Sequence, residues 1–241
     1  MTDSLEYHLE LQVKYSRHFF WHRVRWEAAK SQFPDRPFTL VDVGAGVGLF
    51  GDYLQEEFAP GAFTYQYTEP LLGLESSLEE RFGAENNVKD EDFWEGADVV
   101  TVMDVTEHIQ DDYEFVGSII EKMPAGATLV MTVPALNKLW CGWDDALGHY
   151  RRYDKPMLRA LFRKFPVDVK EISYLFPELL PAAMVRKRTT KTATDSDAEF
   201  PNLPRALNRT LEAIGNTTRR TRRFNPRGTS ALVVAVKQPD R

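Results

Sequence analysis

Cysteine is all but missing: Cys141 is the single one in 241 residues. One thiol allows no intrachain disulfide and no cysteine-rich zinc site, so burial must hold the chain together and a reducing compartment suits it. Long apolar runs are missing as well. No stretch approaches the ~20 residues that a membrane span needs, and charges interrupt residues 1–20 where a secretory leader would be apolar. Basic charge is in deficit, with a formal net charge of −6. A polyanion is drawn by a basic field, so this balance argues against a nucleic-acid partner. Arg219, Arg220, Arg222 and Arg223 run the other way, and a solvated helix end accounts for them best. These absences point to a cytoplasmic protein without a membrane span. With 43% apolar residues, the chain is long enough for one sizeable core.

What is present alternates between strand and helix. Residues 4–33 read as one or two helices, with Leu5, Leu9, Val13, Phe20, Val24 and Ala28 at helical spacing, closed by Pro34 and Pro37. Apolar or β-branched runs predict strands at 38–43, 63–68, 98–103, 128–133, 167–174 and 230–236. Helices are expected at 49–58, 71–82, 113–123 and 155–165, the last with Asp154 as its cap and Pro156 in its first turn. Such alternation builds βαβ units, hence a mostly parallel sheet covered on both faces. The division expected is a helical extension over 1–36 and one α/β domain over 37–241. In that domain 186–225 is a loop and helix insertion before the last strand, and its polar part, 186–205, reads as an exposed loop.

The strongest local signal is Asp42-Val43-Gly44-Ala45-Gly46-Val47-Gly48, a strand end, a glycine turn and the start of a helix. Glycines there let the backbone turn tightly and approach a ligand, and ligands of open α/β sheets bind beyond the carboxyl ends of the strands. Such a turn can also serve only to pack a strand on a helix. Asp42 sits in an apolar strand, where a carboxylate is costly unless paired. Glu69 ends the next strand, at the distance expected of an acid that holds ribose hydroxyls. A dinucleotide fingerprint would need glycine at position 49, where the chain has Leu49. That spacing speaks against a nucleotide-dependent oxidoreductase.

The acid-Val-Gly-Ala-Gly-Val-Gly run resembles motif I of class I S-adenosylmethionine-dependent methyltransferases. ADVVTVMDVTEHIQDD resembles their fourth-strand region, MPAGATLVMTVPA their fifth strand, and LWCGWDDALGHYRRYDKPMLRALF a bacterial small-molecule subgroup with a Gly-His-x-Arg-Arg-Tyr segment. SRHFFWHRVRWEAA loosely resembles the helix preceding the core in that subgroup. The resemblance implies a doubly wound, mostly parallel seven-stranded sheet of the Rossmann-like methyltransferase fold with a helical N-terminal extension. It also implies S-adenosylmethionine as cofactor and a small-molecule methyl acceptor. Gly44, Ala45, Gly46 and Gly48 would line the methionine end, with Asp42 orienting the loop or the amino group. Glu69 would hold the ribose, and Asp104 and Val105 would lie near the transferring methyl. At the adenine, Asp92 and Phe93 are the candidates, in the region where the chain departs from the pattern. A methyltransferase-like protein without catalysis is the remaining alternative.

Methyl transfer from a sulfonium needs alignment first, and a base only where the acceptor must lose a proton. His149 and His108 are the candidate bases, each beyond a strand end, although His108 reads equally well as a helix-start histidine bonded to the backbone. Arg151 and Arg152 present planar forks suited to an anionic acceptor, or they pair with Asp144, Asp145 and Asp154 as a lattice. Trp140 and Tyr150, with Trp143 and Tyr153, can form an aromatic wall or simply pack. Phe19, Phe20, Trp21 and Trp26 read as core rather than lid. No metal is expected, because His8, His18 and His22 show no convincing ligand spacing. The acceptor and the oligomeric state are not legible.

Overall fold

Chain order in the computed structural model, which describes residues 17–89, 91, 93–189 and 203–239, begins with a helix docked under the sheet. The helices are α1 (Phe20–Lys30), α2 (Leu49–Glu57), α3 (Leu72–Phe82), α4 (Asp112–Lys122), α5 (Gly142–Ala146), α6 (Lys155–Phe162), α7 (Leu180–Thr189) and α8 (Arg205–Arg220). The strands are β1 (Phe38–Val43), β2 (Phe63–Thr68), β3 (Val99–Met103), β4 (Thr128–Pro134), β5 (Val167–Leu175) and β6 (Ser230–Lys237). They form one sheet in the order β2-β1-β3-β4-β6-β5. Neighbours from β2 through β4 are parallel, and β6 runs antiparallel to both β4 and β5.

Side-chain alternation along the central strands divides the core in two. Val41, Val43, Val100, Val102, Leu129 and Met131 pack on the face covered by α4 and α6. Leu40, Val99, Val130, Leu232 and Val234 pack on the face covered by α1 and α2, where Trp26 is fully buried among Phe33, Phe50, Tyr53 and Phe58. Helix α8 joins this face, approaching α1 so closely that a Cβ at Gly215 would lie 2.8 Å from Val24. Asp42 shares a face with Leu40, so strand register sets it beside Thr101, its cross-strand partner.

Among the described residues six strands stand where seven were expected. Among the described residues the seventh is reduced to a single parallel bridge, Tyr67 with Asn87, beyond the β2 edge. Trp94 is the physical reason, because its buried indole takes the chain into the α4 layer. The Trp94 N–H donates to Lys122 O at 2.9 Å and its Nε1 to Val88 O at 3.3 Å. Helix α6 also stops at Phe162 rather than 165. Asp154 occupies its N-cap position without making a side-chain cap, and the Lys155 N–H donates to Tyr174 Oη at 3.2 Å instead. Residues 186–189, read as loop, complete the last turn of α7, while 1–16 and 190–202 lie outside the described residues. Three of the four clustered arginines pair with acids of the chain: Arg222 and Arg223 both reach Glu171, at 2.7 and 3.3 Å, and Arg219 lies 3.6 Å from Glu27, while Arg220 is exposed.

Among the described residues three that are not glycine adopt left-handed backbone, each just past the carboxyl end of a strand: Asp104 (φ 56°) after β3, Leu136 (φ 62°) after β4 and Phe176 (φ 56°) after β5. Strain of this kind gathers where surrounding structure over-determines the chain.

Candidate active site

Beyond those same strand ends lies one cavity of about 640 Å³, a size suited to a small-molecule ligand. The glycine turn forms one wall. Gly44, Gly46 and Gly48 all have φ between 57° and 73°, which only glycine adopts without cost. Glu69 ties this loop down. Its Oε2 accepts from the Gly46 N–H at 2.7 Å and its Oε1 from the Leu71 N–H at 3.0 Å. Burial raises its pKa, while the two N–H groups pull it back. Each carboxylate oxygen keeps a second lone pair that a ligand hydroxyl can use.

Asp42 lies deeper. Its carboxylate accepts from Thr101 Oγ1 at 2.7 Å and Tyr65 Oη at 3.2 Å. Burial lifts its pKa to about 6 against the pull of both hydroxyls. Asp104, at the end of β3, is clamped from two elements. Arg25 on α1 forms an ion pair with it, and Thr132 Oγ1 on β4 donates at 2.9 Å. Arg25 in turn contacts His22 Nδ1 at 2.9 Å. Neither Arg25 nor His22 emerged from the sequence, although three-residue spacing on the buried face of an aromatic helix was the available signal.

The opposite wall carries the histidines. The rings of His108 and His149 meet edge to face with centroids 4.7 Å apart. His149 Nδ1 lies 2.9 Å from Asp144 Oδ1, which also accepts from Arg152 Nε at 2.7 Å. Burial would raise the pKa of Asp144, but the His149 hydrogen bond and the Arg152 charge hold it below the usual range. Glu107 is buried beside them, and burial together with the charge of Asp104 pushes its pKa well above the ordinary value. Glu107, His108 and His149 offer ligand atoms within 4.8 Å of one another, a cluster that local spacing did not reveal.

Asp42, Gly44, Ala45, Gly46, Glu69, Asp104, Val105, His108, His149 and Arg152 therefore share one cavity. Trp143 lines it as well, whereas Gly48, Phe93, Trp140, Tyr150 and Arg151, also singled out from the sequence, do not. Gly48 starts α2, and a Cβ there would lie 2.6 Å from Leu78 and 2.7 Å from Phe82, so its bareness serves packing against α3. Phe93 is half exposed beside the Lys237 ammonium, and Asp92 lies outside the described residues. Trp140 donates to Asp145 at 3.1 Å, Tyr150 is 50% exposed, and Arg151 pairs with Asp112 at 3.0 Å. Both arginines of the Gly-His-x-Arg-Arg-Tyr segment are thus engaged by carboxylates. Among the amino-terminal aromatics, Phe20 and Trp26 are core, yet Phe19, Phe20 and Trp21 also reach the cavity.

A family model described as a methyltransferase domain matches residues 17–170, more than half of the chain. The chain belongs to that family. Solved structures resemble this methyltransferase in fold. One is a protein in complex with the Haloferax volcanii Trm112 methyltransferase activator, 17% identical, with a TM-score of 0.61 and coverage of 99% of this chain and 96% of that one. Another is phosphoethanolamine N-methyltransferase 2 of Haemonchus contortus in complex with S-adenosyl-L-methionine, 15% identical at a TM-score of 0.56. The match covers 91% of the methyltransferase but spans only 53% of that longer protein. A third is the geranyl diphosphate C-methyltransferase of Streptomyces coelicolor A3(2), 13% identical at a TM-score of 0.56, covering 90% and 81%. No curated protein matches the methyltransferase in sequence. None of its described helices is long and apolar enough to cross a membrane.

Proposed function

We propose that this methyltransferase uses S-adenosylmethionine to methylate an oxygen, nitrogen or carbon of a small-molecule acceptor. The observation that carries the reading is a single cavity with a carboxylate-tethered glycine turn on one wall and a carboxylate-held histidine on the other. The residues present fit the cofactor: the left-handed glycines at 44 and 46 leave the loop bare at those two positions, and Glu69 faces the cavity with lone pairs to spare for two ribose hydroxyls. Gly44, Ala45 and Gly46 hold the methionine end and Asp42 braces their loop. Asp104 and Val105 stand near the sulfonium, and Pro70 and Leu71, lining the cavity past Glu69, take the adenine side in place of Phe93. When bound, the cofactor supplies a methyl group on positively charged sulfur and leaves as a neutral thioether.

The chain's own contribution is alignment and, where the acceptor carries a proton, its removal. His149, oriented by Asp144, is the base, with His108 beside it. Phe20, Trp21, Leu139 and Trp143 on the wall favour an acceptor with an apolar body. An anionic group on that acceptor meets Arg186 on the wall rather than Arg151. Within the 1–36 extension α1 helps to close the acceptor side, 37–241 form the methyltransferase domain with 186–225 inserted before β6, and the one cysteine fits a cytoplasmic location.

A ligand panel read by thermal shift tests this. S-adenosylmethionine and S-adenosylhomocysteine raise the melting temperature at micromolar-range concentrations, because a ligand of the native state stabilises it. NAD does not. A shift with NAD and none with either sulfur nucleoside overturns the assignment.

A further inference from the structure

We infer that Glu107, His108 and His149 form a binding site for one divalent transition-metal ion on the acceptor side of the cavity. The role of the ion rests on the methyl-transfer reading; its binding does not. One ligand atom from each residue lies within 4.8 Å of the others, and small side-chain rotations bring such atoms to the ~2.0–2.2 Å bonds of a bound cation.

Glu107 is the group that calls for positive charge. It is 1% exposed, it lines the cavity, and among the described residues nothing donates a hydrogen bond to its Oε2. A buried carboxylate with a bare oxygen is costly unless it stays protonated or meets a cation. Burial and the nearby Asp104 already push its pKa well up, so the geometry stores an electrostatic demand that a divalent ion would meet. His149 is set for the same task. With Nδ1 engaged by Asp144, His149 has Nε2 left as a donor nitrogen, and a carboxylate behind an imidazole fixes its tautomer and raises its basicity as a ligand. The ligand-bearing segments are also fixed to each other, because the Tyr150 N–H donates to Glu107 O at 2.7 Å.

Two imidazoles and one carboxylate select borderline ions such as Zn²⁺, Co²⁺ or Fe²⁺, whereas Mg²⁺ and Ca²⁺ take oxygen ligands. Three protein ligands leave coordination positions open to the cavity. An acceptor hydroxyl bound there loses its proton to solvent, because the ion lowers its pKa, and presents its oxygen lone pair as the nucleophile. In that state His149 is a ligand and not the base.

The test is titration of the full chain, stripped with EDTA, by Zn²⁺ in a calorimeter and by Co²⁺ in visible absorption. One ion per chain is expected, with the strong d–d bands of a four- or five-coordinate cobalt site and a raised melting temperature. Glu107→Gln and His149→Ala each weaken binding by at least ~10-fold. Gly46→Arg, on the other wall, keeps metal binding while losing S-adenosylmethionine. Absence of saturable binding by the unaltered chain overturns the site, as does cobalt absorption that both ligand variants leave unchanged. One ion bound by a chain that ignores S-adenosylmethionine supports the site and defeats the methyl-transfer reading alone.

Discussion

The glycine-turn wall of the cavity comes from one contiguous stretch, residues 42–48, closed by Glu69 at the end of the neighbouring strand. The histidine wall is assembled from distant segments: Glu107 and His108 after β3, and Asp144, His149 and Arg152 after β4. The first wall is shaped by backbone, with positive φ angles at its glycines, the Gly44 and Ala45 N–H groups donating to Thr68 O and the Gly46 N–H held by Glu69. The second is made of side chains centred on a buried acid, Asp144, which positions an imidazole and a guanidinium together. A backbone wall fails by steric intrusion, and a side-chain wall fails by loss of charge or alignment.

Four substitutions break or sharpen this contrast. The first is Gly46→Arg, which forces a long side chain into left-handed backbone on the cavity wall. Calorimetry should find S-adenosylmethionine affinity reduced at least ~100-fold, and an unchanged affinity would place the cofactor elsewhere. His149→Ala acts on the other wall alone. Turnover falls by roughly 10²–10⁴-fold while cofactor affinity holds, whether the imidazole serves as base or as ligand. An unchanged rate removes His149 from the chemistry.

Arg25→Met separates folding from both walls. It leaves Asp104 without its buried partner, and urea unfolding should show a loss on the order of 3 kcal/mol. A loss too small to measure would mean that Thr132 and water suffice for Asp104. The last effect appears only as pH changes. The folded pKa of Asp42, about 6, lies above the ordinary aspartate value of 3.8, so the native state binds the extra proton between them. Its contribution to stability is fully present below pH 4 and is lost as pH rises through 6. Asp42→Asn removes that dependence. Relative to the unaltered protein it should gain up to about 3 kcal/mol between pH 4 and pH 8, and a difference that stays flat with pH would show that Asp42 is not the titrating group.

The same contrast explains what the sequence could reveal. The glycine turn was legible because its conformation is encoded in adjacent residues, and the six strands were legible because buried strands write their own apolar runs. The Arg25–Asp104 pair was not, since α1 meets the end of β3 only after the sheet and helices have packed. Histidine spacing along the chain missed the cluster of Glu107 and His108 with His149 for the same reason: two loops bring it together. Gly48 misled because a glycine in a ligand-binding run can be kept bare by a neighbouring helix instead. Trp140 and Tyr150 misled because nothing local decides which way an aromatic on a loop will face. The lost strand beyond β2 traces to Trp94, whose preference for the interior outweighs edge pairing.

The position of β6 between β4 and β5 governs how the molecule can be made. Strand β5 hydrogen-bonds in the sheet only to β6, so while the ribosome is still translating the segments that follow it, β5 has no sheet partner. The parallel half can settle early during synthesis. The packing around Phe176 and Tyr174 must wait until residues 230–237 emerge, pair with β4 and bring β5 into the sheet, and a nascent chain stalled before them would expose the unpaired edge of β4.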